Sequence, residues 1–571
     1  MADGTMSTVV TEPNAAGLAR FSEPTRAWFS GAFDAPTAAQ SGAWEAIASH
    51  RHALVVAPTG SGKTLAAFLW ALDHLLVAGP PADRERRCRV LYISPLKALA
   101  ADIERNLRSP LVGITRAATG LGVAVNDVRV GVRTGDTPAS ERRAFGTRPP
   151  DILITTPESL FLILTSAARE GLRGVEYVIL DEVHALAGNK RGAHLALSLE
   201  RLDAMLDAPA QRIGLSATVQ PVETVARYLA GARSPSDGGR TTQVVQPHVE
   251  KELRIDVVVP VPDLSDLAGY PSAADSRTGA AAVDGPDLSG AAAGPLPGSR
   301  PSSGSIWPHV TERVVDLITS HHSTIVFTNS RRGAERLTAR INEVQAERLV
   351  EAAGVPEAHG SDGADGPVPA TDTGSMWAAQ VPGQSGTAAA LPANAIIARA
   401  HHGSMSREER TSIESALKSG QLPAVVATSS LELGIDMGAV DLVVQVGSPP
   451  SVASALQRIG RAGHQVGALS HGVVLPTHRG DLLAAATTSV RAREGRIEAI
   501  TVPMNPLDVL AQQIVAMSAV DTWDVTELAA LVRRSAPFAE LGEVSLRAVL
   551  DMLAGRYPSE DFAELRPRII W

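Results

Sequence analysis

Cysteine is almost missing from this chain. A single residue, Cys88, among 571 rules out an internal disulfide and any zinc site built on cysteine pairs, and it points to a reducing, cytoplasmic setting. Long apolar runs are missing as well: none reaches the ~18 residues that a membrane span needs. The opening Met1-Ala2-Asp3-Gly4 lacks the basic-then-apolar order of a signal peptide. A basic surplus is also absent. The formal net charge is −9, the wrong sign for a protein that holds a polyanion, until the charge is located. Residues 262–304 hold five Asp against Arg277 and Arg300, and residues 343–393 hold seven acids against Arg348, so these two stretches carry the whole surplus. The remainder is near neutral, and backbone amides and helix N-termini hold phosphates without net positive charge. With 44% apolar and 20% charged residues the composition is ordinary, and the length calls for several domains.

What is present begins at Ala57-Pro58-Thr59-Gly60-Ser61-Gly62-Lys63-Thr64. The apolar run 53–56 precedes it and an apolar helical pattern, 65–76, follows. Strand, glycine-rich turn and helix are the context in which this spacing means a phosphate loop. Backbone N–H groups and the helix dipole converge there on a negative ligand. Thr59, Gly60, Ser61 and Gly62 would cradle the phosphates of ATP, Lys63 would reach the β- and γ-phosphates, and the Thr64 hydroxyl would hold Mg²⁺. The first Gly of the general pattern is Ala57 here. Upstream, residues 28–40 read W-F-S-G-A-F-D-A-P-T-A-A-Q. Aromatics, Pro-Thr and then Gln40 suggest an adenine-recognition element, because one amide satisfies both edges of the base. Thr37 also reads as the N-cap of a helix running to residue 47, a role compatible with the first.

Continuous apolar runs at 90–94, 128–132, 152–155, 175–181 and 213–216 alternate with helical patterns, which indicates a parallel sheet covered on both faces. Asp181-Glu182-Val183-His184 closes one of these runs. In such sheets ligands bind at the carboxyl ends of strands. Asp181 is therefore placed to coordinate Mg²⁺, and Glu182 to orient and deprotonate the attacking water. Strand signals resume at 324–327, 424–427 and 442–445, a second α/β unit. The expected division is a flexible leader at 1–20, a first domain at 21–255, a disordered linker at 256–304, and a second domain at 305–500 with a low-complexity insertion at 344–393. From residue 501 helices are expected at 506–520, 525–536 and 545–554, then a strand at 567–571: a winged helix truncated at its wing.

Taken in order, the blocks are A-P-T-G-S-G-K-T, S-P-L-K-A-L (94–99), R-T-G-D-T (133–137), T-T-P-E-S-L (155–160), D-E-V-H, S-A-T (216–218), I-V-F-T-N-S-R (325–331), H-H-G-S-M-S (401–406), A-T-S-S-L-E-L-G-I-D (427–436) and Q-R-I-G-R-A-G-H (457–464). This set resembles superfamily 2 helicases. With N-P-L-D-V-L-A-Q after the second unit, it resembles the large helicase-related (Lhr) family in particular. The resemblance implies two tandem RecA-like parallel-sheet domains followed by an α-rich winged-helix domain. It also implies an ATP-dependent motor that moves 3′ to 5′ on single-stranded DNA, displaces DNA or RNA from a duplex with a 3′ tail, serves DNA repair, and associates with the nucleoid.

Neither lobe alone completes such an ATPase site, since the transition-state charge needs a cation from outside the phosphate loop. Arg461 is the arginine-finger candidate. The family pattern often has a second Arg three residues later, where this chain has His464; Arg458 either compensates or braces Asp181 and Glu182. Arg458 and Arg461 also read as surface charges on a helix. Gly434 to Asp436 would close onto ATP with Arg461. Ser216 and Thr218, with His184, would report the state of the cleft across the lobes, or else form a capped turn. The phosphate candidates for nucleic acid are Ser94, Lys97, Thr134, Gly135 and Thr156 in lobe one, and Thr328, Asn329, His402, Gly403 and Thr428 in lobe two. Singly, each also reads as a helix cap. Trp571 reads as a base-stacking contact or as a wing residue packed on the preceding helix. Two other classes compete: an RNA-remodelling ATPase of DEAD-box type, and a nucleic-acid scaffold without catalysis. D-E-V-H and the winged helix oppose the former; intact Lys63, Asp181, Glu182 and Arg461 oppose the latter.

Overall fold

A computed structural model describes residues 6–9, 15–58, 60–233, 239–247, 252–264, 305–352, 393–434, 437–463, 469–556 and 566–571. Two parallel sheets organise it. The first contains β1 (Met6–Val9), β2 (His52–Val56), β3 (Val90–Ile93), β4 (Val130–Arg133), β5 (Ile152–Thr155), β6 (Tyr177–Leu180), β7 (Gln211–Ser216) and β8 (Thr242–Val245). Their spatial order is β1-β8-β2-β7-β6-β3-β5-β4. The second contains β9 (Leu253–Val257), β10 (Thr324–Phe327), β11 (Ala398–His401), β12 (Ala424–Ala427), β13 (Leu442–Val446) and β14 (Ser470–Leu475), in the order β11-β12-β10-β13-β14-β9.

The continuous apolar strands are explained by burial on both faces. Alternate residues point to opposite sides, so Val55, Tyr92, Ile154 and Ile179 pack with helices Ala38–Ala48, Lys63–Ala78 and Lys97–Leu121. Their neighbours Leu54, Leu91, Leu153 and Val178 pack with Pro157–Leu164, Lys190–Met205 and Val222–Ala230. The second sheet repeats the plan, with Val326 and Val444 on one face and Ile325 and Val443 on the other.

Four boundaries differ from the sequence expectation. Part of the expected leader is strand: β1 pairs with β8 at the sheet edge. The boundary at residue 255 cuts β9, which pairs with β14 and so belongs to the second sheet. The expected insertion starts inside the helix Arg331–Ala352, where Val344 is buried in the second core. The tail at 567–571 is not a strand: no strand pairs with it among the described residues. Instead, Arg568 and Ile569 N–H groups donate to the Leu553 carbonyl, at 2.7 and 3.2 Å, at the end of helix Glu543–Leu553. An apolar run becomes a strand only beside a partner edge. The rest of the expected linker and insertion, 265–304 and 353–392, lies outside the described residues. No helix among the described residues is long and apolar enough to cross a membrane.

Candidate nucleotide site and nucleic-acid interface

β2 runs into the helix Lys63–Ala78 through a turn in which Gly60 and Gly62 have φ of 84° and 77°, values that glycine holds at least cost. A Cβ on Gly62 would also lie 2.6 Å from Gln40 Nε2. Gln40 closes the loop from the side. Its Oε1 accepts the Thr37 N–H at 2.9 Å in a capping box, its Nε2 lies 3.5 Å from the Gly62 carbonyl, and Thr37 Oγ1 donates to the Ser61 carbonyl at 3.0 Å. The upstream aromatics mostly pack among themselves: Phe29 meets Trp44 edge-on, and Phe33 keeps 43% of its surface exposed. Lys63 Nζ turns inward and donates to the carbonyls of Ala57 (2.5 Å) and Ser216 (3.2 Å). Burial lowers its pKa, opposed by Glu182 and Asp181 and assisted by Arg461. A cradle that a side chain would fill, with a desolvated cation at its floor, fits a polyphosphate. Thr64 stands half-buried beside it, and Thr59 is outside the described residues.

Asp181 and Glu182 are both buried at the end of β6. Asp181 Oδ1 accepts the Glu182 N–H at 2.9 Å, and Oδ2 accepts the Tyr92 hydroxyl in a short hydrogen bond. Burial, then the charge of Glu182, raises the Asp181 pKa to about 7. Two adjacent desolvated carboxylates and a nearby hydroxyl, Thr64, are hard oxygen donors that suit Mg²⁺. Among the described residues no group of three or more His, Cys, Asp or Glu side chains is arranged to hold a metal ion. A cation here would therefore complete its shell from phosphate and water. Glu182 has φ 45° and ψ 48°, a left-handed conformation that costs a non-glycine residue about 1 kcal/mol or more.

The second lobe closes onto this corner. Gly434 has φ 31°, and a Cβ there would lie 2.8 Å from Leu99 and 3.3 Å from Glu182 Oε1. Arg461 is buried and donates to the Glu432 carbonyl at 2.9 Å, and its charge is felt at Lys63. Gln457 meets His184 Nε2 at 2.8 Å across the lobes. His184 Nδ1 accepts the Ala217 N–H at 3.3 Å and lies 3.2 Å from Ser216 Oγ. The ring proton is thus on Nε2, and the Gln457 amide turns its oxygen toward it. Burial lowers the His184 pKa, opposed by the charge of Glu182, whose Oε2 lies 3.5 Å from Nδ1. Ser216 thus stands beside His184 on the lobe-one side of the Gln457 contact, while Thr218 is exposed and makes none of these hydrogen bonds. Arg458 does not brace Asp181 and Glu182. Its Nε and Nη2 donate to Glu432 Oε2 (3.1 and 3.0 Å), and its Nη1 donates to Gln445 Oε1 (2.8 Å) and Asn329 Oδ1 (3.0 Å), which spends the guanidinium inside lobe two. Asp436 and His464 lie outside the described residues.

The nucleic-acid candidates come together at the carboxyl ends of neighbouring strands: β3, β5 and β4 in lobe one, and β10, β12 and β11 in lobe two. Their roles divide. Ser94, Thr156 and Thr328 are buried and spend their hydroxyls on Leu96 O (2.9 Å), Ser159 Oγ (3.2 Å) and Ser330 O (3.1 Å). Thr134 Oγ1 accepts the Asp136 N–H at 3.3 Å. These side chains brace their own turns. Lys97 pairs with Asp136 at 2.6 Å and is half exposed beside Gly135. Asn329 donates to the Ser448 carbonyl (2.8 Å), His402 Nε2 meets Glu335 (2.9 Å), Gly403 is exposed and Thr428 is half-buried.

Family comparison decides the assignment. Residues 37–225 match the DEAD/DEAH box helicase model, 384–465 the helicase conserved C-terminal domain, and 490–571 the winged helix domain of large helicase-related proteins. The chain belongs to the large helicase-related family. It is 53% identical over 562 residues to the Lhr helicase of Mycolicibacterium smegmatis and 51% identical over 559 residues to the Lhr helicase/uracil glycosylase of Escherichia coli, covering 98% and 96% of this chain. It spans 33% of the length of each of these curated relatives. The solved structure of Mycobacterium smegmatis helicase Lhr bound to ssDNA and AMP-PNP matches with a TM-score of 0.77 and 51% identity, over 97% of this chain and 60% of that one.

The Lhr-type winged-helix region docks on lobe one through the helix Lys190–Met205. Leu197 enters its core, Gln513 accepts from Arg201 (2.8 Å) and donates to Ser198 Oγ and the His194 carbonyl (both 3.0 Å), and Arg534 pairs with Glu200 (3.1 Å). Trp571, 42% exposed, has the guanidinium groups of Arg556 (4.8 Å) and Arg547 (5.6 Å) over its ring. Sequence reasoning missed Tyr92, whose only signal was a hydroxyl in an otherwise apolar strand. It also missed Glu432 and Gln445, which hold Arg458.

Proposed function

We propose that this chain is an ATP-driven motor that hydrolyses ATP when single-stranded DNA lies across both lobes. On this reading it moves 3′ to 5′ and displaces a DNA or RNA strand from a duplex with a 3′ tail, in cytoplasmic, nucleoid-associated DNA repair. The observation that carries the reading is the assembled cleft. Arg461 lies within electrostatic reach of Lys63, Gly434 abuts Glu182, and Gln457 bonds His184. A cation supplied from a second lobe is what phosphoryl transfer needs and what a static binding site does not. The M. smegmatis relative's structure with ssDNA and AMP-PNP supports the same reading.

Thr64 and Asp181 would hold Mg²⁺, which when bound neutralises charge on the phosphate oxygens. Lys63 exchanges its Ala57 and Ser216 carbonyls for phosphate oxygens. Glu182 orients water and takes its proton, and Arg461 meets the charge that develops. Gln40 reads the adenine edge from the rim of the loop. Backbone N–H groups at the strand ends, with Lys97, hold DNA phosphates. The domains divide at β9 rather than at residue 255, the insertion begins beyond the helix Arg331–Ala352, and the winged helix occupies 501–571.

Steady-state ATPase measured with single-stranded DNA, with RNA and with neither tests this. DNA should stimulate hydrolysis about tenfold or more and RNA little. Stronger stimulation by RNA would favour local RNA remodelling, and no hydrolysis under any condition would favour a scaffold.

A further inference from the structure

Behind the nucleic-acid edge of lobe two lies a closed set of three side chains to which the proposed mechanism gives no role. His401 is the last residue of β11 and is fully buried. Its Nε2 lies 3.2 Å from Glu414 Oε1 on the helix Arg407–Lys418, and its Nδ1 lies 2.9 Å from Ser430 Oγ. The Ser430 hydroxyl also donates to the His401 carbonyl at 3.0 Å, and that carbonyl accepts the Thr428 N–H at 3.4 Å. The arrangement is not a hydrolytic triad. Ser430 aims its proton at main chain, so it is no nucleophile.

The three side chains fasten one turn. On the outer side of His401 the chain continues into His402 and Gly403, both candidate nucleic-acid contacts, with His402 bonded to Glu335 and Ser404 to Arg331 (2.7 Å). On the inner side, Ser430 begins a run that reaches the chemistry within four residues. The Glu432 carbonyl accepts from Arg461, its carboxylate holds Arg458, and Gly434 lies against Glu182 and Leu99 of lobe one. A displacement of the β11 end therefore reaches both the arginine and the general base through one short turn whose other tether is Ser430. Packed, hydrogen-bonded elements of this kind transmit a shift because they deform little.

We propose that His401, Glu414 and Ser430 are positioning residues that couple nucleic-acid occupancy at the β11 end to the placement of Arg461 and Gly434. They touch neither ATP nor DNA, and their loss uncouples the two sites. The proposal rests on the DNA-stimulated ATPase reading above. The test compares Ser430→Ala, which removes one half-buried hydroxyl, with Ser430→Thr, which keeps it, in the 571-residue chain. ATPase is measured with and without single-stranded DNA, together with DNA affinity and melting temperature. The expected result for Ser430→Ala is a DNA-stimulated kcat about tenfold lower. Its basal rate should stay within about twofold of wild type, its DNA Kd and melting temperature should hold, and Ser430→Thr should recover the stimulation. Full stimulation in Ser430→Ala overturns the proposal, as does an equal fall in basal and stimulated rates or a failure of Ser430→Thr to recover. A wild-type chain that DNA does not stimulate overturns the proposed function and this coupling with it.

Discussion

Gln457→Ala removes the amide that meets His184 across the cleft at 2.8 Å. The two partners sit on different lobes, so the bond exists only while the cleft is closed. Its loss costs the closed state alone. A neutral hydrogen bond contributes about 1 kcal/mol, and stranding a buried donor such as the His184 Nε2–H costs about 1–3 kcal/mol. Gln457 is half-buried, so water reaches the vacated side and the lower part of that range applies. About 1.4 kcal/mol is a tenfold change in the closure equilibrium. The expected outcome is a KM for ATP roughly tenfold higher in DNA-stimulated hydrolysis, matched by a similar loss of nucleotide affinity, with the melting temperature held. His184→Ala should behave alike. The double variant should be no worse than the worse single, giving a coupling energy of about 1.4 kcal/mol in the cycle. An unchanged KM in Gln457→Ala, or strictly additive losses, would refute the cross-lobe assignment.

Glu182→Gln should bind ATP and DNA as the wild type does yet lose turnover by about 10²-fold or more, because it keeps the shape and removes the base; nucleotide binding and single-turnover hydrolysis check it. His52 gives a pH prediction. Burial, then Arg212 and Arg240, lowers its pKa to about 3, while Nδ1 accepts the Arg212 N–H at 2.7 Å. The folded state thus holds His52 neutral while the unfolded chain takes a proton below about 6.5. Its contribution is complete above that pH and is lost as pH falls toward 3, at no more than about 1.4 kcal/mol per unit. His52→Asn keeps an acceptor that cannot charge. Its denaturation free energy should parallel the wild type above pH 7 and decline less steeply below 6.5.

The nucleotide corner was legible because the residues that define it are contiguous. A glycine-rich turn between an apolar strand and a helix, and an acidic pair ending another strand, announce their geometry locally. What stayed hidden depends on partners distant in sequence. Tyr92 reaches Asp181 because β3 pairs with β6 so that Tyr92 lies opposite Ile179, placing the phenol and the carboxylate on one face. Nothing in the strand's own pattern gives that register. Arg458 looked free to serve the active site because Glu432, Gln445 and Asn329 come from three other segments. The hydroxyls of Ser94, Thr156 and Thr328 looked like phosphate ligands because a turn brace and a phosphate contact call for the same residue at the same helix start. β1 and β9, both edge strands, escaped notice; β9 is a half-exposed run with no strong apolar signature.

The central claim is that lobe two supplies the catalytic cation, and Arg461→Ala tests it most directly. The measurement is kcat for DNA-stimulated ATP hydrolysis beside the affinities for ATP and DNA and the melting temperature. The account predicts a loss of about 10³-fold or more in kcat with both affinities within about threefold, since an arginine finger acts on the transition state. Arg461→Lys should fail to recover it, because an ammonium lacks the planar fork. A kcat within tenfold of wild type in a folded Arg461→Ala chain would contradict the account.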